Sequence, residues 1–170
     1  MYTRHTVVDT LLGEITLVAS GEFVVGLYFP HHWYKPSRDT FGDEVRVTDD
    51  ALLGRAAAQL TEYLSGERTA FDLPIATSGD PFQERVWALL REIPRGETVT
   101  YGSLAERLGD KALAQSVGQA VGRNPLCVIV PCHRVVGTDG RLTGYAGGLK
   151  RKQFLLAIEE PAVVKAGRLF

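Results

Sequence analysis

The spacing of apolar residues changes along this chain, and that change limits the fold more than any bulk property does. Arg4–Thr10 alternates apolar and polar residues, Leu11-Leu12-Gly13 turns, and Glu14–Ser20 alternates again. Gly21-Glu22 then turns the chain into Phe23–Phe29. A period of two broken by tight turns predicts an antiparallel sheet. Pro30 to Phe41 has no period and reads as a loop. After Asp49-Asp50, which offers an N-cap, Leu52, Leu53, Ala56, Leu60, Tyr63 and Leu64 recur at helical spacing until Gly66. Phe71–Ile75 is a short extended piece, and Thr77-Ser78-Gly79 is the best candidate linker.

Beyond that linker the period is helical. Asp80-Pro81 combines an N-cap with a proline at the first helical position and opens a helix over Phe82–Ile93. Thr100 caps Tyr101–Leu108, and after Gly109-Asp110 a second short helix runs from Lys111 or Ala112 to about Gly122. That pair resembles a helix-turn-helix. Its second helix carries small residues on nearly every face, so another backbone can approach closely. Gly137-Thr138-Asp139-Gly140 turns, and Gly144-Tyr145-Ala146-Gly147-Gly148 reads as a flexible loop. The last helix, Leu149–Glu160, should turn Phe154, Leu155 and Ile158 inward and Lys150-Arg151-Lys152 outward. The expected fold class is α+β in two parts. Residues 1–76 form a small N-terminal antiparallel sheet with a helix, structural in role. Residues 80–170 form a mainly helical C-terminal domain with a winged-helix-like helix-turn-helix.

Apolar residues make up 45% and charged residues 23% of the 170, the balance of an ordinary globular protein. No apolar run approaches the roughly 20 residues that cross a bilayer. Two cysteines without a secretory leader point to a reducing cytoplasm. The net charge of −1 hides an asymmetry: residues 1–80 hold 6 Lys+Arg against 12 Asp+Glu, whereas residues 81–170 hold 13 against 8. A polyanion would therefore be handled by the C-terminal half.

The run from Asn124 to Val135 carries the chemistry. A β-branched segment delivers Cys132 between Pro131 and His133, and a thiol becomes a strong nucleophile only as thiolate, made by a neighbouring base or cation. Cys127, amid Leu126, Val128 and Ile129, reads as a small buried hydrophobe. Arg134 reads as a structural ion pair or cap, and Lys150-Arg151-Lys152 as a solvated helix face.

Pro131-Cys132-His133-Arg134-Val135, with Asn124-Pro125 upstream and Gly144-Tyr145 and Gly147-Gly148-Leu149 downstream, resembles the O6-alkylguanine-DNA alkyltransferase family. The likeness extends through Phe82-Gln83-Glu84-Arg85-Val86-Trp87, Gly96-Glu97-Thr98, Thr100-Tyr101-Gly102 and Leu155-Leu156-Ala157-Ile158-Glu159, dense over residues 80–160 and weak before them. It implies single-turnover transfer of an alkyl group from O6-alkylguanine, and also O4-alkylthymine, in DNA to Cys132. No cofactor is implied. The partner is alkylated DNA, double- or single-stranded, with no membrane, and a monomer in solution.

By the same resemblance, His133 takes the thiol proton through a water, Glu159 orients His133, Asn124 is a hinge, and Tyr101 donates to the departing guanine. Without it, Glu159 reads as a solvated charge and Asn-Pro as a turn. Ala114, Gln115, Ser116 and Arg123 fall on the DNA face. Val135 reads the base through its carbonyl, and Tyr145 and Ala146 line the pocket. Two positions depart from the pattern: Gln115 stands where relatives carry an arginine that fills the gap left by the flipped nucleotide, and Ala146 where many carry a serine. Residues 1–80 hold no cysteine and only His5, His31 and His32 as imidazoles, so no metal is expected. Alternatives are an alkylated-DNA-binding protein with weak duplex repair, a cysteine hydrolase or acyltransferase, and a helix-turn-helix repressor.

Overall fold

The computed structural model describes residues 1–161. Strands β1 (Thr3–Thr10), β2 (Gly13–Ser20) and β3 (Phe23–Tyr28) form the expected antiparallel meander, within a residue of the alternating segments. Two residues, Asp43–Glu44, add a strand β4 that pairs parallel to β1, so the sheet is mixed, in the order β3-β2-β1-β4. A parallel pair of this length has no turn signal and no periodicity to announce it. The Pro30–Phe41 loop also tightens into a 3₁₀ turn at Arg38–Phe41.

The pleat sorts β2 by face. Ile15, Leu17 and Ala19 enter the main core beneath α1 (Ala51–Leu64), which contributes Leu53, Leu60 and Leu64. Val18 points the other way, into a small cluster with Tyr28 and Phe41. Each fully buried Leu contributes roughly 1.5–3 kcal/mol.

All three helix starts read from side-chain chemistry form as expected. Asp50 accepts from the Leu53 amide, Asp80 from Gln83, and Thr100 from Ser103, the last two as reciprocal capping boxes. α2 (Pro81–Leu90) stops three residues short of Ile93, in a turn before Pro94. α3 (Tyr101–Arg107) leads to a 3₁₀ turn, Lys111–Leu113, and then α4 (Ala114–Gly122), so the second helix begins later than its polar start suggested. β5 (Val99–Thr100) pairs parallel with β6 (Val135–Val136), and α5 spans Leu149–Glu159. Among the described residues no helix is long and apolar enough to cross a membrane.

The two halves share one core. Leu27 of β3 donates its amide to Pro125 O of the second half at 2.8 Å. The Trp87 indole of α2 donates to Ala120 O of α4 at 2.8 Å, holding α4 against α2. Two expectations are corrected here. Lys152 does not face outward: it is fully buried, because residues 135–147 fold over it and offer carbonyls to its ammonium. The glycine-rich 144–148 segment is packed rather than flexible, with Tyr145, Ala146 and Gly147 buried.

Candidate active site

Cys132 is set by three local devices. Asn124, 1% exposed, follows the C-cap of α4; its Nδ2 donates to Val130 O at 2.9 Å and its Oδ1 accepts from Leu126 N at 3.0 Å. One side chain thus closes both ends of the 125–131 loop. Within the loop Val128 has φ 74°, a left-handed conformation that costs a β-branched residue on the order of 1–3 kcal/mol. Pro131 (φ −81°, ψ 64°) then makes an inverse γ-turn, with Cys132 N donating to Val130 O at 2.8 Å. The turn drops Cys132, only 3% exposed, into the 3₁₀ segment Cys132–Arg134.

Behind Cys132 lies a buried polar cluster. His133 Nε2 donates to Glu159 Oε2 at 2.7 Å, Arg134 donates to both Glu159 oxygens at 2.9 and 3.0 Å, and the Tyr63 hydroxyl donates to Oε2. Arg134 Nη1 also donates to Ile93 O at 2.6 Å. Burial works against ionisation of Glu159, but the bonds from His133, Arg134 and Tyr63 hold it down to about 2. Glu159 is therefore a carboxylate, not the solvated charge that helix-end position alone suggests. An ionised acceptor fixes the His133 proton on Nε2 and leaves Nδ1 bare; that atom is buried and has no hydrogen-bond partner among the described residues. Burial lowers the His133 pKa, so the ring is neutral and able to accept a proton.

In front of Cys132 is a cavity of about 220 Å³ whose walls include Trp33, Tyr101, Tyr145 and Ala146. Tyr101, at the start of α3, is half-buried, and its hydroxyl accepts from Thr143 Oγ1 at 3.4 Å. Burial raises it and keeps it protonated, as it does more strongly for Tyr145. Gln115 and Ser116 are exposed on α4 and Ala114 is half-buried beside them. Arg123 is exposed and its guanidinium stacks 4.0 Å over the Tyr34 ring, so it is already engaged. The Val135 carbonyl accepts from Lys152 Nζ at 2.7 Å, which leaves its second lone pair.

His133 and Glu159 thus gather behind one sulfur and Tyr101, Tyr145 and Ala146 in front of it, whereas Ala114 and Gln115 line an adjoining groove, Ser116 lies exposed beside them on α4, and Arg123 stacks on Tyr34. Four neighbours escaped sequence reasoning. Tyr63 lies 96 residues from Glu159; His32 and Trp33 sit in a segment without periodicity; Lys152 is the third of three basic residues. Of these only Trp33 carried a signal, a tryptophan beside Tyr34 in a segment without periodicity; it is 51% exposed and walls the cavity.

The electrostatics favour a reactive Cys132. Its thiol is held below the usual range chiefly by the hydrogen bond shared with Cys127, against burial, with Asn124 and the Lys152 ammonium helping. Burial in turn pushes Lys152 down to about 8. Cys127 is pushed well above the usual thiol range by that same bond and by burial.

Comparison with known proteins places both halves. Residues 81–161 match the model of the 6-O-methylguanine DNA methyltransferase DNA binding domain, and residues 3–77 that family's ribonuclease-like domain. A methylated-DNA–protein-cysteine methyltransferase of Mycolicibacterium paratuberculosis is 44% identical over 156 residues, 92% of each chain. One from Methanosarcina barkeri is 52% identical over 114 residues, 67% of this chain and 72% of its own. Among solved structures, Mycobacterium tuberculosis OGT in complex with DNA superposes with a TM-score of 0.84 at 40% identity, covering 92% of both chains.

Proposed function

The chain belongs to the 6-O-methylguanine DNA methyltransferase family, and we propose that it repairs alkylated DNA directly by moving the alkyl group from O6 of guanine to Cys132. The observation that carries this reading is the position of Cys132, a thiol at the floor of a base-sized cavity with a neutral, oriented histidine behind it. His133 Nδ1 takes the thiol proton through a water, and Glu159 stabilises the imidazolium that results. The thiolate attacks the alkyl carbon: the C–S bond forms, the C–O6 bond breaks, and its electron pair goes to O6. Tyr101, kept protonated by burial, donates to the purine as that charge arrives. O4-alkylthymine presents the same leaving geometry and is a second substrate.

The thioether is not hydrolysed, so each molecule acts once. α4 presents Ala114, Gln115 and Ser116 to DNA, and the flipped base enters between Tyr101 and Tyr145 with Ala146 at its edge. Residues 80–170 carry the nucleophile and the DNA contacts; residues 1–76 brace them through Tyr63 and Trp33. Two free, buried thiols, one of them the nucleophile, suit the reducing cytoplasm. A binding-only role is not favoured, because the relatives carry the methyltransferase name and this chain keeps its cysteine.

The test is mass spectrometry after incubation with an oligonucleotide containing O6-methylguanine. One added CH2, about 14 Da, is expected on the Cys132 peptide and absent in Cys132→Ala, as covalent capture requires. Repeated turnover, or a chromogenic ester hydrolysed with an acyl intermediate, would assign the site to a hydrolase instead.

A further inference from the structure

A second thiol touches the first. Cys127 Sγ lies 3.8 Å from Cys132 Sγ, 3.8 Å from Asn124 O and 3.8 Å from His32 Nε2, and Cys127 is fully buried. The direction of this chain of contacts follows from its outer end. The Phe29 amide, an obligatory donor, points at His32 Nδ1 from 3.2 Å. Nδ1 is therefore the acceptor nitrogen, and in the neutral ring the proton sits on Nε2. Burial, helped by the charges of Lys35 and Arg151, pushes His32 down to about 4, so the ring is neutral. Nε2–H can only donate, and the atom it faces is Cys127 Sγ.

With one lone pair of Cys127 Sγ occupied by His32, the Cys127 proton has two acceptors at equal distance, Asn124 O and Cys132 Sγ. While Cys132 is a thiol, its own S–H points at Cys127 and the Cys127 proton goes to the carbonyl. Once Cys132 ionises it has no proton to give, and a thiolate outcompetes a neutral carbonyl for a donor. We infer that Cys127 donates a hydrogen bond to the ionised sulfur of Cys132, aimed by His32, and so sets how much of the nucleophile is thiolate. No atom is transferred: the proton stays on Cys127 and only the hydrogen bond is redirected. His32, from the first half of the chain, is a positioning residue. The inference rests on the proposed role of Cys132 as nucleophile.

Cys127→Ala removes the donor, Cys127→Ser keeps one, and His32→Asn keeps the acceptor for Phe29 while deleting the donor to Cys127. The groups facing the pair stay in place in all three: Lys152 and Tyr101 beside Cys132, Tyr145 against both thiols and Cys127 first, and Tyr28 beside Cys127 and His32. Single-turnover transfer from a single-stranded O6-methylguanine oligonucleotide is followed across the pH range in which thiols ionise. In Cys127→Ala the midpoint should rise by about one pH unit, which leaves about a tenth of the thiolate at neutral pH; with that thiolate up to about threefold more nucleophilic, transfer there should be about threefold slower. Above both midpoints the variant should run up to about threefold faster than wild type, because a more basic thiolate is the better nucleophile. Cys127→Ser should stay near wild type, and His32→Asn should shift the midpoint the same way by less.

An unmoved midpoint in Cys127→Ala, or a loss of equal size at every pH, overturns the inference, since cavity or packing defects do not bend the profile. Both Cys127 variants retain Cys132 as their sole cysteine. Its ultraviolet thiolate absorbance therefore reports the same shift even if no alkyl group moves. An inactive wild type, with a thiolate titration that still separates Cys127→Ala from Cys127→Ser, would sink the proposed function and leave the hydrogen bond standing.

Discussion

Glu159→Gln removes the negative charge from a buried cluster that also holds Arg134 and His133, and its effect can be sized by two routes. Glu159 is 3% exposed and accepts from His133 Nε2 at 2.7 Å, from Arg134 at 2.9 and 3.0 Å, and from the Tyr63 hydroxyl. Those bonds hold its carboxyl at about 2 against an ordinary 4.5, which at about 1.4 kcal/mol per pH unit amounts to about 3 kcal/mol. Removing one partner of a buried ion pair costs about 3–5 kcal/mol, because the other charge stays buried without compensation. The routes meet near 3 kcal/mol. Urea denaturation at neutral pH should show that loss with an unchanged m-value. The pH dependence has a definite sign. The folded pKa is depressed, so the stabilisation is complete above the unfolded value of 4.5 and is lost as pH falls towards about 2. Wild type should therefore lose about 3 kcal/mol across that window, while Glu159→Gln should lack this component. A penalty below about 1 kcal/mol, in the range of a solvated surface pair, would refute the picture of a desolvated cluster. Acid sensitivity identical to wild type would refute it as firmly.

Three further outcomes follow from the pocket and its rim. Gln115→Arg should speed transfer from duplex O6-methylguanine while leaving single-stranded substrate nearly unchanged, since the longer cation helps offset the few kcal/mol of base flipping; equal duplex rates would count against it. Ala146→Ser should raise the methyl-over-benzyl rate ratio in competition assays, by adding a donor near O6 and narrowing a cavity of about 220 Å³. Trp33→Ala should weaken discrimination between O6-methylguanine and bulkier adducts, because Trp33 walls that cavity and packs on Gly144 and Gly122; an unchanged ratio of rates would show that the wall is passive.

What was legible in the sequence is what local chemistry decides. Asp50, Asp80 and Thr100 are read as caps because a cap is a contact over three residues, and each forms as written. The three strands β1 to β3 follow because alternation and glycine turns are local too. Cys132 stands out because its neighbours in sequence are also its neighbours in space. Most of the misreadings are cases where distant chain decides. Lys150-Arg151-Lys152 looks like a solvated face, yet Lys152 Nζ meets Val135 O and Gly144 O at 2.7 and 2.9 Å, a nest built by a loop that no periodicity describes. Glu159 needs Tyr63 from the far end of α1, and β4 needs β1, two strands and a long loop earlier, as a parallel neighbour. α2 carries apolar residues on to Ile93, but the helix ends at Leu90 while Ile93 stays buried in a turn, so period and burial agree where backbone conformation does not.

The first half of the chain supplies none of the groups proposed to react, yet it fixes the surroundings of the one that does. Tyr63 donates to Glu159, which holds the His133 tautomer; Leu27 donates to Pro125 O, which anchors the loop that Asn124 closes; His32 meets Cys127; Trp33 walls the cavity. These four contacts reach Cys132 from the side of His133, its backbone, its thiol neighbour and the mouth of its cavity. A strained Val128 and a γ-turn at Pro131 persist only where the surroundings over-determine them. Asn124 closes that loop from within and β3 clamps it from outside, so the loop does not depend on its own residues for its shape. The sheet is thus part of the machinery that presents Cys132, through contacts that a reading of residues 80–160 alone cannot contain.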